Sequence, residues 1–138
     1  MLLPMVVTAL VLFVQDAEAL FTLRDFLDQH QLPTIAADTL ADLIQILKAG
    51  PETTVFVDCQ ALQTFGLGLL AKIRVAAPPA RLVLLCSRTH QHRHLIREAM
   101  ALGAYACVLA PYQDYEVLTL VRLNQSRKSV KRATSRKR

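Results

Sequence analysis

The chain is 138 residues long, enough for one domain with a buried core, and 53% of its residues are hydrophobic, which excludes a disordered or fibrous chain. Its net charge of +5 is unevenly placed: from Ser126 to Arg138, Arg127, Lys128, Lys131, Arg132, Arg136, Lys137 and Arg138 stand without an acid, which leaves the remainder near −2. The cysteines, Cys59, Cys86 and Cys107, are odd in number and form no CxxC pair, which argues against a disulfide framework and for a reducing, cytoplasmic setting.

Residues 1–14 are apolar and uncharged. With Ala17-Glu18-Ala19 imitating a cleavage site, they have the outline of a secretory leader. No Lys or Arg precedes Arg24, so the basic start of such a leader is missing. The run is also too short to span a bilayer, and no membrane association is expected. It reads instead as a loose extension leading into a buried strand over 9–14 (ALVLFV), ended by Gln15-Asp16.

Residues 17–30 place Leu20, Leu23 and Leu27 on one helical face. Residues 32–37 form a second, weaker strand. Asp38 is the expected N-cap of a helix carrying Leu40, Leu43, Ile44 and Leu47 at i, i+3, i+4 and i+7, stopped by Gly50-Pro51. That stripe is core. Residues 53–57 (TTVFV) are β-branched and aromatic and end at Asp58. A helix over 67–75 is closed by Pro78-Pro79. A fourth strand (82–85, LVLL) leads to a helix over 91–102 that Gly103 terminates. The fifth strand, 104–109, ends before Pro111, and a helix over 114–124 runs into the basic tail.

Five β/α units of this kind, with continuous rather than alternating apolar strands, imply a parallel sheet covered on both faces. Right-handed crossovers then give an α/β, flavodoxin-like, doubly wound fold. The expected sheet has five strands in the order 2-1-3-4-5 with helices on both faces. The domain is expected over residues 1–125, and residues 126–138 form a basic tail with nothing to bury.

In such a sheet, sites form outside the carboxyl ends of the strands, at the switch in strand order. The residues there are Gln15 and Asp16, Asp58, Cys86 and Ser87, and Ala110. Strands one and three are neighbours in this order, so Asp16 and Asp58 should face one crevice. Two carboxylates there repel unless a proton or a cation intervenes, and oxygen ligands favour Mg²⁺.

Four segments in order, VLFVQD (11–16), VFVD (55–58), LVLLCS (82–87) and GAYACVLAPY (103–112), resemble the receiver domains of two-component response regulators. The likeness covers about residues 8–125. It implies that Asp58 is the phospho-acceptor position. It implies Asp16, Asp58 and the backbone of Gln60 as the Mg²⁺ ligands, and Cys86 or Ser87 at the position of the fourth-strand hydroxyl. This sequence also departs from the pattern. Gln15 replaces one acid of the pair, Cys107 replaces the switch aromatic, and Ala110 replaces the lysine beside the phosphoryl group. Phosphoryl transfer rests on positioning and charge stabilisation, so these losses should impair it and weaken Mg²⁺ binding. Arg88 and Arg93 are the nearest substitute cations.

Other features have plainer readings. The three cysteines could approach one another near strand ends, which would suit a redox or metal role, but a buried free cysteine is usually a small apolar residue. His90, His92 and His94 read as a solvated segment rather than a metal site. Gly66 and Gly68 lack the third glycine of a dinucleotide fingerprint, which argues against a nucleotide-binding enzyme.

The resemblance therefore implies a non-enzymatic signalling domain acting by protein–protein contact through its fourth helix, fifth strand and fifth helix. Candidate partners are a histidine kinase, a phosphotransfer protein, another response regulator or a second copy of the chain. The alternative is a phosphorylation-independent binding module whose basic tail contacts nucleic acid through phosphates, without sequence preference.

Overall fold

The computed structural model describes residues 9–87 and 92–122. The chain runs β1 (Leu10–Phe13), α1 (Ala17–Gln29), β2 (Thr34–Ala36), α2 (Leu40–Ala49), β3 (Thr54–Asp58), α3 (Cys59–Phe65), α4 (Gly68–Ala76), β4 (Arg81–Ser87), α5 (Arg93–Ala101), β5 (Ala106–Ala110) and α6 (114–122). The five strands form one parallel sheet in the order β2-β1-β3-β4-β5. β1 pairs with both β2 and β3, so the order reverses there, and the ends of β1 and β3 mark the switch point of the sheet.

Strand alternation sorts the core into two layers. Val11, Phe13, Val55, Val57, Leu82 and Leu84 face α2 to α5 and meet Leu43, Leu47, Leu62, Leu69 and Ile73. Leu10, Leu12, Phe56, Val83, Leu85 and Val108 face α1 and α6 and meet Leu23, Leu27, Val117 and Val121. Both faces of the central strands are therefore dry, which is why their sequences read as unbroken apolar runs. Each fully buried Leu or Phe contributes about 1.5–3 kcal/mol.

Several boundaries differ from expectation. The N-cap of α2 is Thr39, whose Oγ1 accepts from the Asp42 amide at 3.1 Å, and not Asp38. Thr39 stands one residue before the first helical position, where a capping oxygen must lie to reach the third amide of the helix. A helix, α3, follows Asp58 immediately, over residues to which the sequence reading assigned no element, so the third unit carries two helices. β4 runs on to Ser87 instead of ending at Leu85. Gly103 ends α5 as expected: with φ at 105° it lets Gly103 and Ala104 donate back to the carbonyls of Met100 and Ala99.

Ala17-Glu18-Ala19 lies within the first turn of α1. No helix among the described residues is long and apolar enough to cross a membrane. The basic run of 126–138 lies outside the described residues.

Candidate functional site

The rim of the sheet at the ends of β1 and β3 is organised around Asp58. It is the one buried charged side chain among the described residues, 5% exposed. A carboxylate out of water costs several kcal/mol unless donors replace the solvent. Three backbone amides do so. Oδ1 accepts from Gln15 at 3.1 Å and from Ala61 at 3.0 Å, and Oδ2 accepts from Asp16 at 3.0 Å. The pairing of Phe13 with Val57 carries the chain past β1 directly over the end of β3, which aims the Gln15 and Asp16 amides at this carboxylate. The Ala61 amide belongs to the first turn of α3, which Asp58 caps.

Asp16 lies at the same corner, as its place after β1 implied. Its carboxylate turns to its own helix, where Oδ2 accepts from the Ala19 amide at 3.2 Å and caps α1. The two acids thus share one corner and serve different amides. Gln15 contributes its backbone there, and Gln60 is the second residue of α3.

At the end of β4 the structure separates Cys86 from Ser87. Alternation puts Ser87 on the sheet face of Phe56 and Asp58, and it stands opposite Ala110 of β5. Cys86 points to the other face and is joined to Cys59 in a disulfide, with the two Cα atoms 5.2 Å apart. Of the two candidates for the hydroxyl position, only Ser87 shares the face of Asp58. The disulfide also corrects the expectation that the cysteines stay unpaired. Asp58 pairs with Leu85 in the parallel ladder, so the next residues along, Cys59 and Cys86, are cross-strand neighbours. Cys107 remains free; it is half-buried against the Cys86 side of the sheet, and burial pushes its thiol pKa up.

Ala110 is exposed at the end of β5 and brings no charge. Arg93 is exposed at the start of α5, and Arg88 lies outside the described residues. His90 lies outside them as well. His92 Nδ1 is 3.3 Å from the Gln63 amide nitrogen, and His94 Nε2 meets Glu98 at 2.6 Å one helical turn on. No group of three or more His, Cys, Asp or Glu side chains among the described residues is placed to hold a metal. Gly66, with φ at 75°, caps the end of α3, and Gly68 begins α4, so the pair serves a helix junction.

The residues that the resemblance assigns to Mg²⁺ already serve the protein's own backbone in this arrangement. Asp58 already accepts three amides, and Asp16 caps α1. The Gln60 carbonyl belongs to the first turn of α3, where helical geometry directs it along the axis toward the amide four residues on. Sequence reasoning put Asp58, Asp16 and Ser87 at the strand ends where they lie. It missed the three amides and Cys59, because backbone donors carry no residue-type signal and Cys59 needed the β3–β4 register.

No protein-family model and no curated protein sequence matches the chain. Solved structures do. NtrX from Brucella abortus in complex with ADP superposes with a TM-score of 0.73 at 21% identity, over 93% of this chain and 28% of NtrX. A response regulator from Thermotoga maritima gives 0.67 at 20% identity, over 86% of this chain and 98% of that one. A response regulator receiver domain protein from Clostridium thermocellum gives 0.73 at 17%, over 88% and 98%. The chain has the receiver-domain fold. It spans little more than a quarter of NtrX but matches the smaller receiver proteins over nearly their whole length.

Proposed function

We propose that this receiver-fold chain is a signalling domain of two-component type that works by protein–protein contact, with phosphorylation at Asp58 impaired. The observation that carries the reading is the state of Asp58. It stands at the end of β3, where the resemblance implies the acceptor, yet its carboxylate is buried and held by three backbone amides. An aspartyl phosphate there would add about two negative charges. Gln15 supplies no second acid to help hold a cation, and Ala110 supplies no ammonium. Loss of one preorganised charge-stabilising group costs a transfer reaction about 10²–10³-fold. Mg²⁺ binding at this corner is weak for the same reasons.

The contact face in this reading is α5, β5 and α6. β5 is an edge strand, and a groove of about 370 Å³ runs beside it between Ala106–Leu109 and Tyr115, Glu116, Thr119 and Leu120. An edge strand flanked by an exposed tyrosine suits a protein partner better than a small metabolite. Candidate partners are a histidine kinase, a phosphotransfer protein, another response regulator or a second copy of the chain. These regulators act inside the cell, so the proposed location is the cytoplasm.

Incubation with a small phosphodonor and Mg²⁺, followed by intact mass, tests the reading. The unmodified chain should gain no phosphoryl group. The double substitution Gln15→Asp with Ala110→Lys should gain measurable label. Labelling of the unmodified chain at the rate of an intact receiver would overturn the proposal.

A further inference from the structure

The Cys59–Cys86 bond lies one residue from Asp58 and ties the first residue of α3 to β4. We infer that Cys59 and Cys86 form a reversible redox modification site, exchanging with low-molecular-weight disulfides and thiols, that sets how tightly the Asp58 carboxylate is held. The inference concerns the amides around Asp58, so it stands or falls independently of whether that residue is phosphorylated.

The coupling runs through two residues of one helical turn. Cys59 and Ala61 both lie in the first turn of α3, and the Ala61 amide is one of the two donors to Asp58 Oδ1. With the bond in place, that turn is fixed to β4. Without it, the seven-residue α3 keeps the Asp58 cap, the buried Ala61 and Leu62 and the Phe65 ring against Phe13, but loses its one covalent tie to β4, and Gly66, with φ at 75°, ends it as a pivot. The other two donors, Gln15 and Asp16, sit on the β1–α1 connection, outside the span that the bond closes. Reduction should therefore loosen one donor of three and leave the others. Cys59 and Cys86 are each 4% exposed, so exchange requires α3 to move outward, the same movement that withdraws the Ala61 amide.

The chemistry balances with an organic disulfide as oxidant. One protein thiolate attacks a sulfur of the external disulfide, forming a mixed disulfide and releasing one thiol. The second protein thiolate attacks the protein-side sulfur of that intermediate, which closes the Cys59–Cys86 bond and releases the second external thiol. Two electrons pass from the protein to the external disulfide, and the two thiol protons go to the leaving thiolates. Reduction is the reverse. Cys107 lies on the Cys86 side of the sheet but pairs with Leu84, two residues short of the Cys86 position, and keeps its thiol.

The test uses the unmodified full-length chain in buffers of graded glutathione to glutathione disulfide ratio. Samples are acid-quenched, alkylated in denaturant and weighed. The number of blocked thiols should pass from three to one in a single step, since all three cysteines are free in one state and only Cys107 in the other. At the two ends of that titration, amide hydrogen exchange is compared. Ala61 should exchange about tenfold faster in the dithiol state, the loss of one hydrogen bond, with Val55 and Val57 of β3 unchanged. Three blocked thiols at every ratio would mean that no bond forms. One blocked thiol at every ratio in the folded protein would mean a permanent staple. A clean transition without faster exchange at Ala61 would uncouple the bond from Asp58. Any of the three overturns the inference.

Discussion

The two halves of the sheet's carboxyl rim are built on opposite principles. Over β1 and β3 the rim is closed: Asp58 is buried, each of its carboxylate oxygens accepts backbone amides, and Asp16 caps the adjoining helix. Over β4 and β5 it is open: Ser87 and Ala110 are exposed and face each other across the last strand pair, and a groove borders the free edge of β5. In the first half a charged residue is consumed by the architecture. In the second the surface is available to something else. The same fold can therefore keep an acidic residue at its switch point for structural reasons while the neighbouring edge stays exposed.

The sharpest way to break this comparison is to remove the carboxylate. Asp58→Ala leaves three amide donors without their acceptor at a buried corner and removes the cap of α3. The expected cost is about 3–5 kcal/mol in urea unfolding. Asp58→Asn keeps an acceptor oxygen and should cost about half as much. If Asp58→Ala leaves the midpoint unchanged, the closed half is not held by Asp58 and the contrast fails.

Next in size is the disulfide, which closes a sequence separation of 27 residues. Cys59→Ala together with Cys86→Ala should lower stability by about 3–4 kcal/mol relative to the oxidised chain. Relative to the reduced chain the same pair should change it little. An equal loss against both reference states would assign the effect to packing of the sulfurs rather than to the bond.

Much of this molecule was legible in its sequence, for a physical reason. The unbroken apolar runs around Leu12, Phe56 and Val83 belong to strands covered on both faces, and the strand order followed from the alternation of such runs with helical stripes together with the motifs at the strand ends. Asp16 and Asp58 were placed at one corner because strand ends, not side chains, decide position there. What stayed hidden depended on detail finer than a repeat. α3 is seven residues, too short for a 3.6-residue period to declare itself, and its only apolar run is broken by Gln60, Gln63 and Thr64. Asp38 and Thr39 are both good caps, and only the helix start chooses between them. The Cys59–Cys86 pair needed the register of β3 against β4, which a parallel ladder fixes through non-local contacts.

A smaller effect concerns the segment after β5. Tyr112 is partly buried, and both that burial and the nearby Asp114 carboxylate push its phenol pKa above the ordinary value of 10.0. The folded state disfavours the phenolate, so Tyr112 contributes stability that is complete below the unfolded value and declines as pH rises past it. Unfolding followed from neutral to strongly alkaline pH should show less decline in Tyr112→Phe than in the unmodified chain. Identical alkaline profiles would place the tyrosine in solvent and make this stretch part of the open surface.

The smallest expected effects on folding belong to the open half, and they define it. Tyr115 is 67% exposed on the first turn of α6, and Ala110 is exposed at the end of β5. Neither anchors the core, so Tyr115→Ser and Ala110→Lys should each shift stability by no more than about 0.5 kcal/mol. Their consequences should appear in association instead. An exposed tyrosine beside a groove is the kind of side chain that concentrates binding energy, because it covers a large area while ordering few torsions. Tyr115→Ser should therefore weaken self-association, or capture of a receiver or phosphotransfer partner, while its unfolding curve overlays that of the unmodified chain. The decisive measurement pairs sedimentation velocity or partner titration with urea unfolding on the same preparation. A loss of several kcal/mol in folding from Tyr115→Ser would mean that the β5 edge is as internally committed as the Asp58 corner, and the division of the rim into a closed and an open half would no longer hold.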